Sequence, residues 1–252
     1  MEAASPTEAD AEPSARPSLS LAQRSWAVFA RPTAAWDGLE TRVQWWFPLL
    51  VVTLVSAAVA AILHDRAVIP MLTQAWQEQV ANGQMPADQA AQMEQFFRSP
   101  QGLLIGIAQQ CVVLPVIQFA TALIVWFGVG FILGRPFGYR LALEVTTWAG
   151  LVTIPAQLLT AVLAWSRETL RGIHVGFGIL LPDTETPSRL AVWLGAVLDA
   201  LGPLAVWYVV VMILGAAALS GAPRKGVAWV LGSLYLVLVV FVAALGAMFS
   251  RS

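Results

Sequence analysis

Five apolar stretches, separated by polar segments, organise the chain: 47–63, 103–133, 141–165, 203–219 and 227–249. A helix crossing the roughly 30 Å hydrocarbon core of a bilayer needs about 20 apolar residues, so each stretch predicts one transmembrane span. Backbone amides in lipid have to be paired within their own segment. None of the stretches alternates polar and apolar positions as a barrel strand would. The predicted fold class is all-α: a polytopic transmembrane helical bundle of five spans over residues 47–249.

Helical periodicity continues outside the spans. Leu19, Ala22, Trp26 and Phe29 stand at i, i+3, i+7 and i+10, as do Trp36, Leu39, Val43 and Trp46. That spacing gathers each set on one helix face, which predicts amphipathic interfacial helices over 19–46, with Thr33 after Pro32 as the second N-cap. Trp26, Trp36, Trp45 and Trp46 are the expected interfacial anchors in the headgroup layer. Packing against the end of the bundle is the alternative for the same faces. Between spans one and two, Val68, Leu72, Trp76 and Val80 form one stripe and Ala90, Met93 and Phe97 another. Asn82-Gly83 ends the first helix and Pro86 opens the second, so a helical hairpin is expected at 66–99. Residues 1–18 carry Glu2, Glu8, Asp10, Glu12 and three prolines without an apolar core, which reads as a disordered polar tail and not a cleaved signal.

Composition sharpens this picture. Hydrophobic residues make up 58% and charged residues 12% of the chain, against about 25% charged in a soluble domain. A net charge of −1 offers no field for nucleic acid, and the lone Cys111 lies in a span with no disulfide partner. Basic residues crowd the short loops: Arg24, Arg31 and Arg42 before span one, Arg135 and Arg140 after span two, Arg224 and Lys225 after span four. The longer alternate segments mix Arg66, Arg98, Arg167, Arg171 and Arg189 with Asp65, Glu78, Asp88, Glu94, Glu168, Asp183 and Glu185. The positive-inside rule then places the N-terminus inside and the C-terminus outside. Thirteen Arg against one Lys suggest a GC-rich bacterial genome, hence a bacterial inner membrane.

Polar residues within the spans are the candidate chemistry, because a charge at the bilayer centre is costly and such groups have a task or a partner. Glu144 lies one turn into span three, four residues from Arg140, and a local ion pair is the simplest reading. Gln118 beside Pro115 and Gln157 beside Pro155 complete a candidate intramembrane polar site with Glu144; glue between helices is the plainer use of the two glutamines. The second stretch either projects from the membrane or bends at Pro115. Gly130-x-x-x-Gly134 permits close helix approach. His64 and His174 show no metal-ligand spacing, and no Gly-x-Ser-x-Gly elbow, phosphate loop or His-Glu-x-x-His motif is present. No cofactor, metal or catalytic residue is expected.

Leu201-Gly-Pro-Leu-Ala-Val-Trp207 followed by Gly215 resembles a signature of the Yip family of five-span membrane proteins. In that family an Asp-Pro turn opens the fourth span, with a Trp and then a Gly further on. Arg31-Pro-Thr-Ala-Ala-Trp-Asp-Gly-Leu39 resembles the family's Pro-led approach to the first span, and Pro155 resembles its third-span proline. Gly202 stands where the family's Asp is usual, with Asp199 one turn earlier. Asp199 is therefore the expected cap of the fourth helix, beside Gly202, Pro203 and Trp207, with 190–198 as a separate interfacial helix. The resemblance implies a bacterial branch mostly of unassigned activity, some of its members similar to proteins encoded beside ATP-driven exporters, whereas the eukaryotic members look like partners of prenylated Rab-type GTPases that bind without known catalysis. The expectation is a non-enzymatic scaffold or accessory subunit for a membrane complex, an ABC-type exporter being one candidate partner. The alternative is a small carrier or lipid-moving protein using the Glu144–Gln118–Gln157 cluster. An intramembrane hydrolase would need Glu144 and Asp199 in one pocket, whereas the topology puts them near opposite leaflets. The oligomeric state is not legible.

Overall fold

The computed structural model describes residues 19–182 and 188–249; the tail expected over 1–18, with Asp183 and Glu185, lies outside the described residues. These are helical, with no strand among them: α1 (Leu21–Ala30), α2 (Trp46–Leu63), α3 (Ile69–Ala81), α4 (Ala87–Phe97), α5 (Pro100–Trp126), α6 (Tyr139–Gly150), α7 (Thr153–Arg167), α8 (Arg189–Ala200), α9 (Pro203–Ser220) and α10 (Arg224–Phe249). Five helical runs are long and apolar enough to cross a membrane: Trp46–Ala81, Pro100–Ile132, Tyr139–Arg167, Pro203–Ser220 and Arg224–Met248. The all-α, five-span expectation is borne out. Successive spans run in opposite directions, so residues 19–45 and the turns after spans two and four share one face, called here the lead-in face. The hairpin and the loop after α7 share the other, the hairpin face.

Three spans carry an irregular turn, two of them beside a proline. First, α2 does not stop at residue 63 but passes through a widened turn at His64–Val68 into α3. Pro70 has no N–H to give the Arg66 carbonyl and its ring crowds it; a turn in which Ile69 N–H reaches the His64 carbonyl absorbs the mismatch. Second, α5 runs through Pro115 and ends in a similar wide turn at Phe127–Ile132. Third, span three tightens between α6 and α7, where Val152 N–H bonds the Ala149 carbonyl and Ile154 N–H the Leu151 carbonyl. Pro155 cannot supply the bond that would continue an even helix there.

The core is built around α6. Every residue from Ala142 to Val152 is buried, against α2, α5 and α9 and the segment before α2. On the hairpin face, α3 and α4 form an antiparallel pair joined by Gly83 at φ +67. His64 Nε2 lies 2.8 Å from the Phe97 carbonyl, and Arg171 forms a two-pronged bond with Glu78 at 2.8 and 3.2 Å.

The expected second amphipathic helix over 33–46 is absent. After α1 the chain makes consecutive turns, with Ala34 N–H on the Arg31 carbonyl and Leu39 N–H on the Trp36 carbonyl, and Gly38 at φ +77 interrupts any helix. Trp36 is correspondingly not an interfacial anchor. It is 1% exposed, and its ring lies against Gly215 of α9, where an added Cβ would fall 2.6 Å from ring atoms. Trp45 also turns inward, edge-on to Phe119 at 5.9 Å. Trp26 and Trp46 stay outside, 69% and 48% exposed. The Gly130–Gly134 spacing is not a helix crossing either, since Gly134 has open space around it at φ +60; the close approach belongs to Gly128, whose missing Cβ admits Leu234, Leu231 and Val230 of α10.

The seat of Trp36 gives a direct expectation. Ala is intrinsically favoured over Gly in a helix by about 1 kcal/mol, yet Gly215→Ala is expected to destabilise the detergent-solubilised protein, by about 1–3 kcal/mol as for an overpacked core. Gly232→Ala, with nothing within 4 Å of its added Cβ, serves as the comparison and keeps or raises the melting midpoint. Equal midpoints for the two variants by thermal circular dichroism would remove Gly215 as the seat.

Candidate functional site

Two polar constellations lie at opposite faces. On the lead-in face, Arg24 of α1 is fully buried. Its guanidinium donates to the carbonyls of Ala35 and Asp37 (the latter 2.9 Å) and lies 5.7 Å from the centroid of Trp148. Burial pulls the Arg24 guanidinium below its ordinary pKa, while the Glu144 carboxylate draws it back up. Arg140 donates to the carbonyls of Leu39, Glu40 and Arg42. Glu144, with no exposed surface, accepts from the Gln44 amide at 2.7 Å and from Trp148 Nε1 at 3.2 Å. Arg140 lies 3.9 Å from it, so the local ion pair read from the sequence is present but is the longest of these contacts. Together the three side chains clasp residues 35–44 to the end of α6.

On the hairpin face, Asp199 at the end of α8 organises the glycine-rich loop after α7. Its Oδ2 lies 2.6 Å from His174 Nδ1, and its Oδ1 accepts from the amides of Gly176 and Gly178 at 3.1 and 3.2 Å. The glycines are what let the loop lie so close: a Cβ on Gly176 would fall 2.6 Å from the Asp199 backbone, and one on Gly202 would fall 2.6 Å from the Gly176 Cα. A cavity of about 240 Å³ borders this loop, with Thr160 of α7, Asp199 and Leu204 among its walls. The carboxylate therefore does not cap α9 as expected; Gly202 is the N-cap residue, without a side-chain bond, and Pro203 follows it.

A family model described as the Yip1 domain matches residues 26–246. The chain belongs to the Yip1 family. No match was found among curated proteins or among solved structures.

In this Yip1-family chain the signature residues have separate mechanical duties. Gly202 gives room to Gly176, Pro203 starts α9, Trp207 packs onto the main core, and Gly215 receives Trp36. The signature thus joins both faces to one helix. No hydrogen bond links the three residues grouped as an intramembrane polar site to one another. Glu144 serves the clasp. Gln157 accepts from Ser56 Oγ of α2 at 2.7 Å and donates to Thr153 Oγ1 at 3.1 Å, which donates to the Gly150 carbonyl at 2.8 Å. Gln118 packs on Gly150, and its buried Oε1 has no partner. These residues wall neither the cavity beside the Asp199 loop nor the groove between α5 and α10. Arg24 and His174 join the polar constellations without a sequence signal beyond residue type. Among the described residues no group of three His, Cys, Asp or Glu gathers to hold a metal.

Two substitutions test the constellations. Glu144→Ala removes two bonds to a buried carboxylate, each worth about 1.5–3 kcal/mol, and is expected to release residues 31–44 to limited proteolysis. An unchanged cleavage pattern would show the clasp to be held without it. Asp199→Ala is expected to speed deuterium uptake at the Gly176 and Gly178 amides by about tenfold or more, from the loss of about 1.4 kcal/mol or more of local protection; unaltered uptake would detach the loop from the carboxylate.

Proposed function

We propose that this Yip1-family membrane protein is a non-enzymatic scaffold or accessory subunit for another membrane complex, of which an ATP-driven exporter is one class, in a bacterial inner membrane with the lead-in face towards the cytoplasm. The observation that supports this is where the polar residues are used. Glu144, Arg24, Arg140 and Asp199 are all engaged in holding segments at the two membrane faces, and the segments they hold present apolar and amphipathic surface outward. On the lead-in face Trp26, Phe29 and Val43 are exposed; on the other, α4 has no buried residue at all and exposes Phe96. Exposed aromatic side chains on a rigidly held platform suit protein docking. The density of Arg in the short loops supports the orientation.

The test places a photo-reactive phenylalanine at position 26 or 95 of the full chain in native membranes, with position 237, on the lipid-facing side of α10, as the reference. One discrete protein adduct from position 26 or 95, identified by mass spectrometry as a membrane-complex subunit and absent from position 237, is the expected result. Lipid adducts alone from all three positions would end the scaffold reading.

A further inference from the structure

A groove between α5 and α10 stands apart from both polar constellations. It measures about 520 Å³ and is walled by Leu123, Ile124 and Trp126 of α5, Phe127 of the wide turn, and Leu234, Val237, Leu238 and Phe241 of α10. Two features make it. Gly128, within the wide turn at Phe127–Ile132, lets α10 approach that turn to contact distance, and α10 parts from the body of α5 beyond it, with Phe127 and Phe131 stacked at 5.1 Å on the turn. Val237 and Phe241 are largely exposed, so the groove opens to the bilayer.

Charge decides what fills it. The lead-in ends of the same two spans carry Arg135, Arg224 and Lys225, all exposed, and among the described residues no acidic side chain pairs with any of them. The loop folds back there, Arg135 N–H bonding the Val129 carbonyl at 3.2 Å, and Leu133 lies within van der Waals reach of an added Cβ on Gly226. The three cations thus gather at the lead-in ends of the two spans that wall the groove. From Arg224 to Leu234 is ten residues, or about 15 Å of helix, close to half the hydrocarbon core. A lipid whose headgroup meets the cations therefore brings the far part of its acyl chain into the groove.

We propose that this groove, together with the basic cluster at the lead-in end of its two spans, is a binding site for an anionic diacyl phospholipid of the leaflet on the lead-in face. The chain itself supplies no preference, because lipid tails are as apolar as the groove walls; selection comes from the headgroup, while the groove fixes where the lipid stays. The proposal goes beyond the scaffold reading and stands without it.

The experiment is native mass spectrometry of the full chain from mixed micelles holding equal mole fractions of phosphatidylglycerol and phosphatidylcholine with matched chains. The wild type is expected to retain phosphatidylglycerol over phosphatidylcholine by about five-fold or more, the ratio that one basic residue near an anionic headgroup supplies. Arg135→Gln/Arg224→Gln/Lys225→Gln is expected to equalise the two lipids. Leu238→Trp, which fills the groove, lowers retention of both. Equal retention on the wild type overturns the proposal without any variant having to fold. Undiminished retention of both lipids on Leu238→Trp reduces it to surface charge attraction, and a wild-type dimer whose groove excludes both lipids assigns the groove to a second copy; either outcome overturns it as well.

Discussion

Residues 31–45 approach the first span without a helical ladder, so their carbonyls need donors from elsewhere, and a carbonyl left unpaired at the membrane boundary would be costly. Arg24 and Arg140 supply those donors from either side, and Glu144 accepts the Gln44 amide from below. The rest of the lead-in face depends on this exchange. It sets Trp36 into the Gly215 recess of α9 and Trp45 against Phe119 of α5, so one irregular segment ties three spans together. A lysine would not replace Arg24 here, because a fork of fixed donors meets two carbonyls while the flat guanidinium lies near Trp148.

The hairpin face uses the same principle with the signs reversed. A loop whose amides lack a helix finds its acceptor in the Asp199 carboxylate, and the loop approaches closely enough only because Gly176, Gly178 and Gly202 have no side chains. The Yip1-family signature at the start of α9 lies between the two arrangements, with Gly202 under the loop and Gly215 under Trp36. A rigid helix that seats a segment at each end keeps both membrane faces in a fixed relation, which is what a platform for partners requires. Between them, Ser56, Gln157 and Thr153 bridge α2 and α7 and satisfy the tightened turn of span three.

Much of the architecture was readable from hydropathy and turn residues. The five spans and the hairpin break at Gly83 follow from local pattern, because in lipid a segment must satisfy its own backbone. The polar sites were less readable. Glu144 was visible as an unusual residue, but its principal partner, Gln44, lies 100 residues away in sequence. Arg24 read only as one of the basic residues before span one and is instead buried; Trp36 read as a surface anchor and is instead core. Asp199 stood one turn from a helix start, which fits a cap, yet a loop 21 to 25 residues earlier takes the carboxylate.

The amino-acid sequence alone determined the medium, the number of crossings and the family, because these depend on the length, apolarity and spacing of short stretches. Only the tertiary structure decided which tryptophans face the bilayer and which face the core, which charges are committed to holding backbone, and where the two apolar walls of α5 and α10 part to leave a groove. The physical reason is that a periodic apolar face states only that it will be covered. What covers it is settled by long-range shape and by the nearest donor or acceptor able to meet an unpaired carbonyl or amide.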